Sequence, residues 1–289
     1  MKNRLVLSLL IAAFCLLIAV YTKTTSSLGS IDYYNRGTKY ISKNNYNSAI
    51  ENFTKAIKID PDYADAYYSR GTVYYWQEDY DHAIENYNQA IRVNPNLFDA
   101  YTYRGTAYAK KSDYDRAIED YNQAISINPN YIDAYNNRGN TYFIKGDYDQ
   151  ALADYTQAIE IKPDFAMGYY NCGLIYAKKN DYERAIEEYN HAISLEPNYE
   201  NIYFSRGLVY AEKGDYNQAI QDYTKVISIN PNLDEVYFYR GSAYKEKGDY
   251  NLASKDLNRA ITLFPLDTRY RETLQKIQEM QRLNKSNKE

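Results

Sequence analysis

The chain has 289 residues, a net charge of −4 and a pI near 5.4, so it carries no general basic field to draw nucleic acid or an anionic membrane. Its two cysteines, Cys15 in an apolar run and Cys172 far downstream, make neither a disulfide pair nor a metal site, and cysteine usage points to no redox compartment.

Lys2 and Arg4 precede an uncharged apolar run over residues 5–21, and polar TKTTSS follows. The run is at the short edge of what spans a bilayer and slightly long for a signal-peptide core. Ala19-Val20-Tyr21 puts a tyrosine where a cleavage site needs a small residue, and Ser27-Leu28-Gly29 is a more distant candidate. Cys15 makes a poor lipoprotein signal, because Phe14 precedes it and the apolar run continues beyond it. The expectation is therefore an uncleaved signal-anchor over residues 5–21. Lys2 and Arg4 outweigh Lys23, which keeps the short tail cytoplasmic and puts the remainder on the extracytoplasmic side. Cleavage would instead give a secreted or periplasmic protein. Residues 22–29 read as a Ser/Thr linker without apolar period, closing a leader over residues 1–29.

From residue 30 one segment recurs every 34 residues. All seven prolines keep this beat, at Pro61, Pro95, Pro129, Pro163, Pro197, Pro231 and Pro265, and so do Gly37, Gly71, Gly105, Gly139, Gly173, Gly207 and Gly241. The units are 30–63, 64–97, 98–131, 132–165, 166–199, 200–233 and 234–267. A fixed period of this size marks an array in which each unit needs its neighbours to complete a core. In the third unit the recurring residues are Tyr101, Gly105, Tyr108, Tyr114, Ala117, Tyr121, Ala124 and Pro129. Apolar and aromatic residues at three- and four-residue steps predict two helices per unit. Asp113, Asp147, Asp181, Asp215 and Asp249, each after Gly, Asn or Ser, supply the stop and N-cap signals of a tight turn between them. The second helix ends before each proline, whose predecessor is pushed out of the helical region. Gly105, Ala117 and Ala124 let the helices approach closely, and the tyrosines fill the gaps.

This pattern resembles the tetratricopeptide repeat: an aromatic, a Gly, a Tyr, a small residue, another aromatic, an Ala and a Pro within 34 residues. The resemblance covers about four fifths of the chain. It implies an all-α fold, a right-handed α-solenoid of antiparallel helix pairs. Two departures stand out: Tyr replaces the family's frequent first Trp, and Arg36, Arg70, Arg104, Arg138, Arg206 or Arg240 stands before the Gly where the family has Leu, with Cys172 in the fifth unit. An arginine stem laid over tyrosine rings, its head on a carboxylate of a neighbouring second helix such as Asp120 or Asp154, accounts for this position. A ladder of positive charge offered to a ligand is the functional alternative. Cys172 reads as a small buried residue.

After Asp267 the period stops, and TRYRETLQKIQEMQRL places Tyr270, Leu274 and Ile277 on one helical face. Residues 268–284 are expected to be a solvating cap, and 285–289 a frayed tail.

No catalytic constellation emerges. His82 and His191 lie three units apart at positions that are polar elsewhere in the repeat, and the chain has no phosphate-cradling loop, metal-ligand cluster or activated nucleophile. No catalytic residue, cofactor or metal is expected, and the chain reads as not an enzyme. The resemblance implies instead a concave groove lined by the first helices, used to hold a partner protein or peptide. Carried over, it names Tyr34, Asp65, Tyr68, Tyr75, Asp99, Asp133, Asn136, Asn140, Phe143, Tyr170, Phe204, Glu235 and Phe238, with Thr102 between them. The family's carboxylate clamp needs Lys and Asn where this chain has acids and aromatics, so a basic or amide-rich peptide suits these rungs better. The expected function is a membrane-tethered, non-catalytic scaffold. Self-association of the arrays as a structural protein is the alternative, and a nucleic-acid reader lacks a basic path for the backbone.

Overall fold

The computed structural model describes residues 28–286. Among the described residues there are fifteen helices and no strand. Helix α1 covers residues 28–41, so it takes in the end of the stretch read as linker. Then come α2 (Tyr46–Ile59), α3 (Ala64–Trp76), α4 (Tyr80–Val93), α5 (Phe98–Lys110), α6 (Tyr114–Ile127) and α7 (Ile132–Lys145). These seven belong to one compact unit, which ends at Lys145. A second unit starts at Gly146 and holds α8 (Tyr148–Ile161), α9 (Ala166–Lys178), α10 (Tyr182–Leu195), α11 (Glu200–Glu212), α12 (Tyr216–Ile229), α13 (Asp234–Glu246), α14 (Tyr250–Leu263) and α15 (Thr268–Ser286). The all-α architecture of antiparallel helix pairs is the expected one.

The punctuation works as the sequence suggests. Each first helix ends on one left-handed residue, which is Gly146, Gly214 or Gly248 at φ near +80°, and Asn44, Glu78, Ser112 or Asn180 at φ near +60°. The next Asp then caps the second helix: Asp79, Asp113, Asp147, Asp181 and Asp215 each accept from the backbone N–H three residues on. Second helices stop at extended residues such as Asn94, Asn128 and Asn230, each directly before its proline.

Close approach inside a pair follows from the repeat's glycine. A Cβ on Gly71 or Gly105 would stand 2.9 Å from the ring of Tyr87 or Tyr121, and one on Gly207 would stand 2.7 Å from that of Tyr223. Those rings are fully buried, as are Phe53, Tyr155 and Tyr189 at the same register. In the last pair Leu257 replaces the ring, and the space beside Gly241 opens to 3.4 Å from that side chain. The array closes with α15, whose Tyr270 and Ile277 are fully buried with Ala253, Leu257 and Ala260 of α14, while Leu274 packs at the margin. The cap runs to Ser286, two residues past its expected end.

The membrane placement does not stand. The apolar run at 5–21 lies outside the described residues, and among the described residues no helix is long and apolar enough to cross a membrane. A membrane anchor, and with it an extracytoplasmic array, is therefore not supported.

Candidate functional site

The side chains carried outward by the first helices fall into two groups. In the first unit, Tyr34 of α1 packs on Phe53 and Tyr63 with ring centroids 5.6 and 5.1 Å away, and its hydroxyl accepts from Ser69 at 3.3 Å. Tyr68 of α3 sits 6.0 Å from Tyr87 and 5.7 Å from Tyr103, and Tyr75 joins the same cluster 6.4 Å from Tyr103. All three stay half-buried. They are wedges between neighbouring pairs that keep one edge toward solvent, and not freely displayed rings.

Among the acids, Asp65 and Asp133 are exposed, whereas Asp99 accepts a 2.7 Å hydrogen bond from the Tyr131 hydroxyl. The Tyr131 ring in turn lies 4.7 Å from Phe98. Burial, that hydrogen bond and the charges of Asp99 and Asp133 all push the Tyr131 hydroxyl far above its ordinary value. The structure thus gathers Asp99, Asp133 and Tyr131 into one acidic patch. Asn136, Asn140 and Phe143 lie half-buried along α7. Thr102 is no surface residue: it is 2% exposed and donates to the Phe98 carbonyl.

In the second unit, Tyr170 packs on Tyr189 and Tyr199, and its hydroxyl meets that of Ser205 at 3.3 Å. Phe204 lies 5.4 Å from Tyr239, and Phe238 lies 5.1 Å from Tyr270. Here a cleft of about 380 Å³ opens between α11, α13 and the start of α15, its lining including Glu200, Phe204, Asp234, Glu235, Phe264 and Tyr270 together with Asp267 and Arg269. Two of the expected residues, Phe204 and Glu235, belong to it. Asp234 accepts from the Tyr270 hydroxyl at 2.6 Å, and Arg269 sits 2.5 Å from Asp267 and 3.7 Å from Glu235. Glu200 adds further negative charge. Phe264, 47% exposed, supplies an apolar wall.

Sequence reasoning missed Tyr131, Glu200, Asp234, Phe264 and Arg269. A signal existed for the first, since Tyr63, Tyr131, Phe165 and Tyr199 all stand two residues after a repeat proline.

Beyond Arg36, the arginine ladder is consumed internally. Arg104 makes a bidentate pair with Asp120 at 2.9 and 2.6 Å and reaches Asn88 of the preceding pair at 2.6 Å. Arg206 does the same with Asp222 and Asn190, and Arg240 with Asp256 and Thr224. Their guanidinium groups lie over Tyr101, Tyr203 and Tyr237. Burial lifts the Asp120 and Asp222 carboxyls even against their arginines. These side chains are braces, not ligand contacts. Cys172, which replaces one arginine, is buried, and burial together with the charge of Glu188 pushes its thiol up to about 12, so it is an unreactive thiol. His82 and His191 are exposed and stacked on Tyr74 and Tyr169.

Helix pairs stacked at a 34-residue register, braced from within and presenting acids and aromatics from their first helices, define a repeat scaffold of the tetratricopeptide type. Family profiles described as TPR repeat match residues 37–77, 105–144, 139–180, 173–214 and 207–248. Others described as tetratricopeptide repeat match 64–97, 86–119 and 234–265. The chain belongs to the tetratricopeptide repeat family, whose fold commonly mediates protein–protein interaction and whose members are generally non-catalytic scaffolds.

No curated protein matches the chain. Among solved structures, MamA is 30% identical with a TM-score of 0.53, over 55% of this chain and 93% of its own. YrrB, described as a TPR protein with an unusual peptide-binding site, is 21% identical with a TM-score of 0.56, over 66% of this chain and 98% of its own. The C-terminal part of a TPR repeat-containing protein from Cytophaga hutchinsonii is 22% identical with a TM-score of 0.67, over 83% of this chain and 99% of its own. The last two likenesses concern the fold alone.

Proposed function

We propose that the protein is a non-catalytic scaffold that holds a basic or amide-rich segment of a partner protein against the first helices. The observation that carries this reading is the cleft in the second unit, where Glu200, Asp234 and Glu235 stand beside Phe204, Phe264 and Tyr270. A lysine or arginine side chain entering it lays its apolar stem on the rings and its charge among carboxylates. Asp65, Asp99 and Asp133 give the first unit a similar sign, with Asp99 already committed to Tyr131. Peptide capture is also what the similar structure of YrrB is described for.

The test is fluorescence anisotropy with the full chain and labelled nine-residue peptides, one set rich in Lys and Asn and one of matched length rich in Glu. The expected result is saturable binding of the basic set only, weakened at least tenfold by Glu200→Lys/Glu235→Lys. Equal binding to the double variant, or preference for the acidic set, would remove the acidic cleft as the site.

A further inference from the structure

The N-terminal edge of the array carries a second surface, opposite in charge and independent of that cleft. Three internal junctions, α4–α5, α6–α7 and α10–α11, are joined by two cationic rungs seven residues apart. Arg104 of α5 reaches Asn88 at 2.6 Å and Lys111, just past the helix, reaches Asp81, both on α4. Arg206 of α11 reaches Asn190 at 2.5 Å and Lys213, just past the helix, reaches Glu183 at 2.8 Å, both on α10. The receiving helix therefore offers an acid and, seven residues later, an amide.

Helix α1 and the turn after it hold the same two rungs, Arg36 and Lys43. Among the described residues no helix lies in front of α1, and neither side chain has a hydrogen-bond or ion-pair partner; Arg36 only lies 5.4 Å over its own helix's Tyr33 ring. Its internal brace is missing too: Asn52, which donates to the Ser48 carbonyl at 2.8 Å, accepts nothing from Arg36, whereas Asn86 at the same register accepts from Arg70 at 2.7 Å. Between the two rungs comes Lys39, where internal first helices bury Val73, Ala107 or Ile175. Arg36, Lys39 and Lys43 line a cleft of about 510 Å³ together with Tyr33, Tyr40 and Lys55. The carboxylate in that lining, Glu51, is held by Lys55 at 2.6 Å. Three cations thus form a stripe roughly 10 Å long, at 1.5 Å of rise per residue, on a protein of net charge −4. The chain's own first 27 residues bring no counter-charge, since they contain no Asp or Glu.

We infer that this edge docks an acidic helix of a partner protein, bearing carboxylates at i, i+4 and i+7. The register is that of an internal second helix, antiparallel to α1: the first acid meets Lys43, the second Lys39 and the third Arg36. Lys39 excludes the alanine- and isoleucine-faced helix that an ordinary repeat would offer, because its ammonium would be buried against apolar surface.

The probe is a labelled, alanine-based helical peptide with Glu at i, i+4 and i+7, titrated with the full chain at low and moderate salt. Saturable binding is expected, at least tenfold weaker for the peptide with Gln in place of Glu and for Arg36→Glu/Lys43→Glu. Arg36→Gln/Lys43→Gln serves if the reversed pair lowers the urea midpoint. Glu200→Lys/Glu235→Lys should leave this binding unchanged, which separates it from the acidic cleft. The inference fails if the double variants bind as the wild type does. It fails equally if a proline-broken peptide of the same charge, or inorganic phosphate as competitor, does as well as the helix, for then the edge is a general anion patch.

Discussion

At the scale of single residues, the fifth repeat shows what the arginine brace does by lacking it. Glu188 occupies the register of Asp120 and Asp222, but Cys172 stands where its arginine would be. Burial raises the Glu188 carboxyl above the ordinary carboxylate value. The folded state therefore binds that proton more tightly than the unfolded chain does, so this group favours folding below its ordinary value and the benefit is lost as pH rises through the raised one. Glu188→Gln should flatten that loss. Cys172→Arg should rebuild the pair and add about 1 kcal/mol at neutral pH, the size of a typical charge-assisted hydrogen bond net of burial costs. Urea midpoints of the three proteins between pH 4 and 7 check both statements. The brace was legible from the repeated arginine and the repeated acid sixteen residues on. The hydrogen bonds from Tyr131 to Asp99 and from Tyr270 to Asp234 were not, because their partners lie 32 and 36 residues apart and meet only when pairs stack.

At the scale of the helix pair, the sequence already contains the turn and the close approach. Proline, left-handed turn residue and capping Asp recur with the period, and the glycine marks where two helices touch. What periodicity hides is how much each glycine matters, since that depends on the side chain opposite. Gly207→Ala drives a methyl group to 2.7 Å from the fully buried Tyr223 ring, and overpacking of that kind should lower stability by about 2 kcal/mol. Gly241→Ala meets Leu257 at 3.4 Å and the Ala253 carbonyl at 3.2 Å, and alanine's better helix propensity offsets the tighter fit, leaving a change below about 1 kcal/mol. Tyr223→Leu should recover part of the loss in the first variant by recreating the environment of the second. Chemical denaturation of the three variants decides the matter, and equal costs at the two glycines would show that the ring is not the obstacle.

At the scale of the molecule, the array's logic is that of neighbours: each pair completes its core with the next, and the last needs a lid. The lid was readable from Tyr270, Leu274 and Ile277 on one face, and α15 keeps the register of a first helix, with Gln281 donating to Asn251 at 3.0 Å in the place where lysine–acid rungs stand earlier. The leader carries no such periodic constraint, and the reading of it as a membrane anchor finds no support among the described helices. Ile277 is fully buried against α14, so Ile277→Ala should cost about 3 kcal/mol through lost contact and a cavity. In a chain of nearest-neighbour terms that cost should not spread evenly. Amide exchange should accelerate most in α14 and α15, less in α13, and hardly at all in α3 to α6, while the acidic cleft lined by Tyr270 loosens with the lid. Uniform acceleration across the chain would instead mean that the repeats unfold as one cooperative body, and that the lid holds the whole array and not only its last pair.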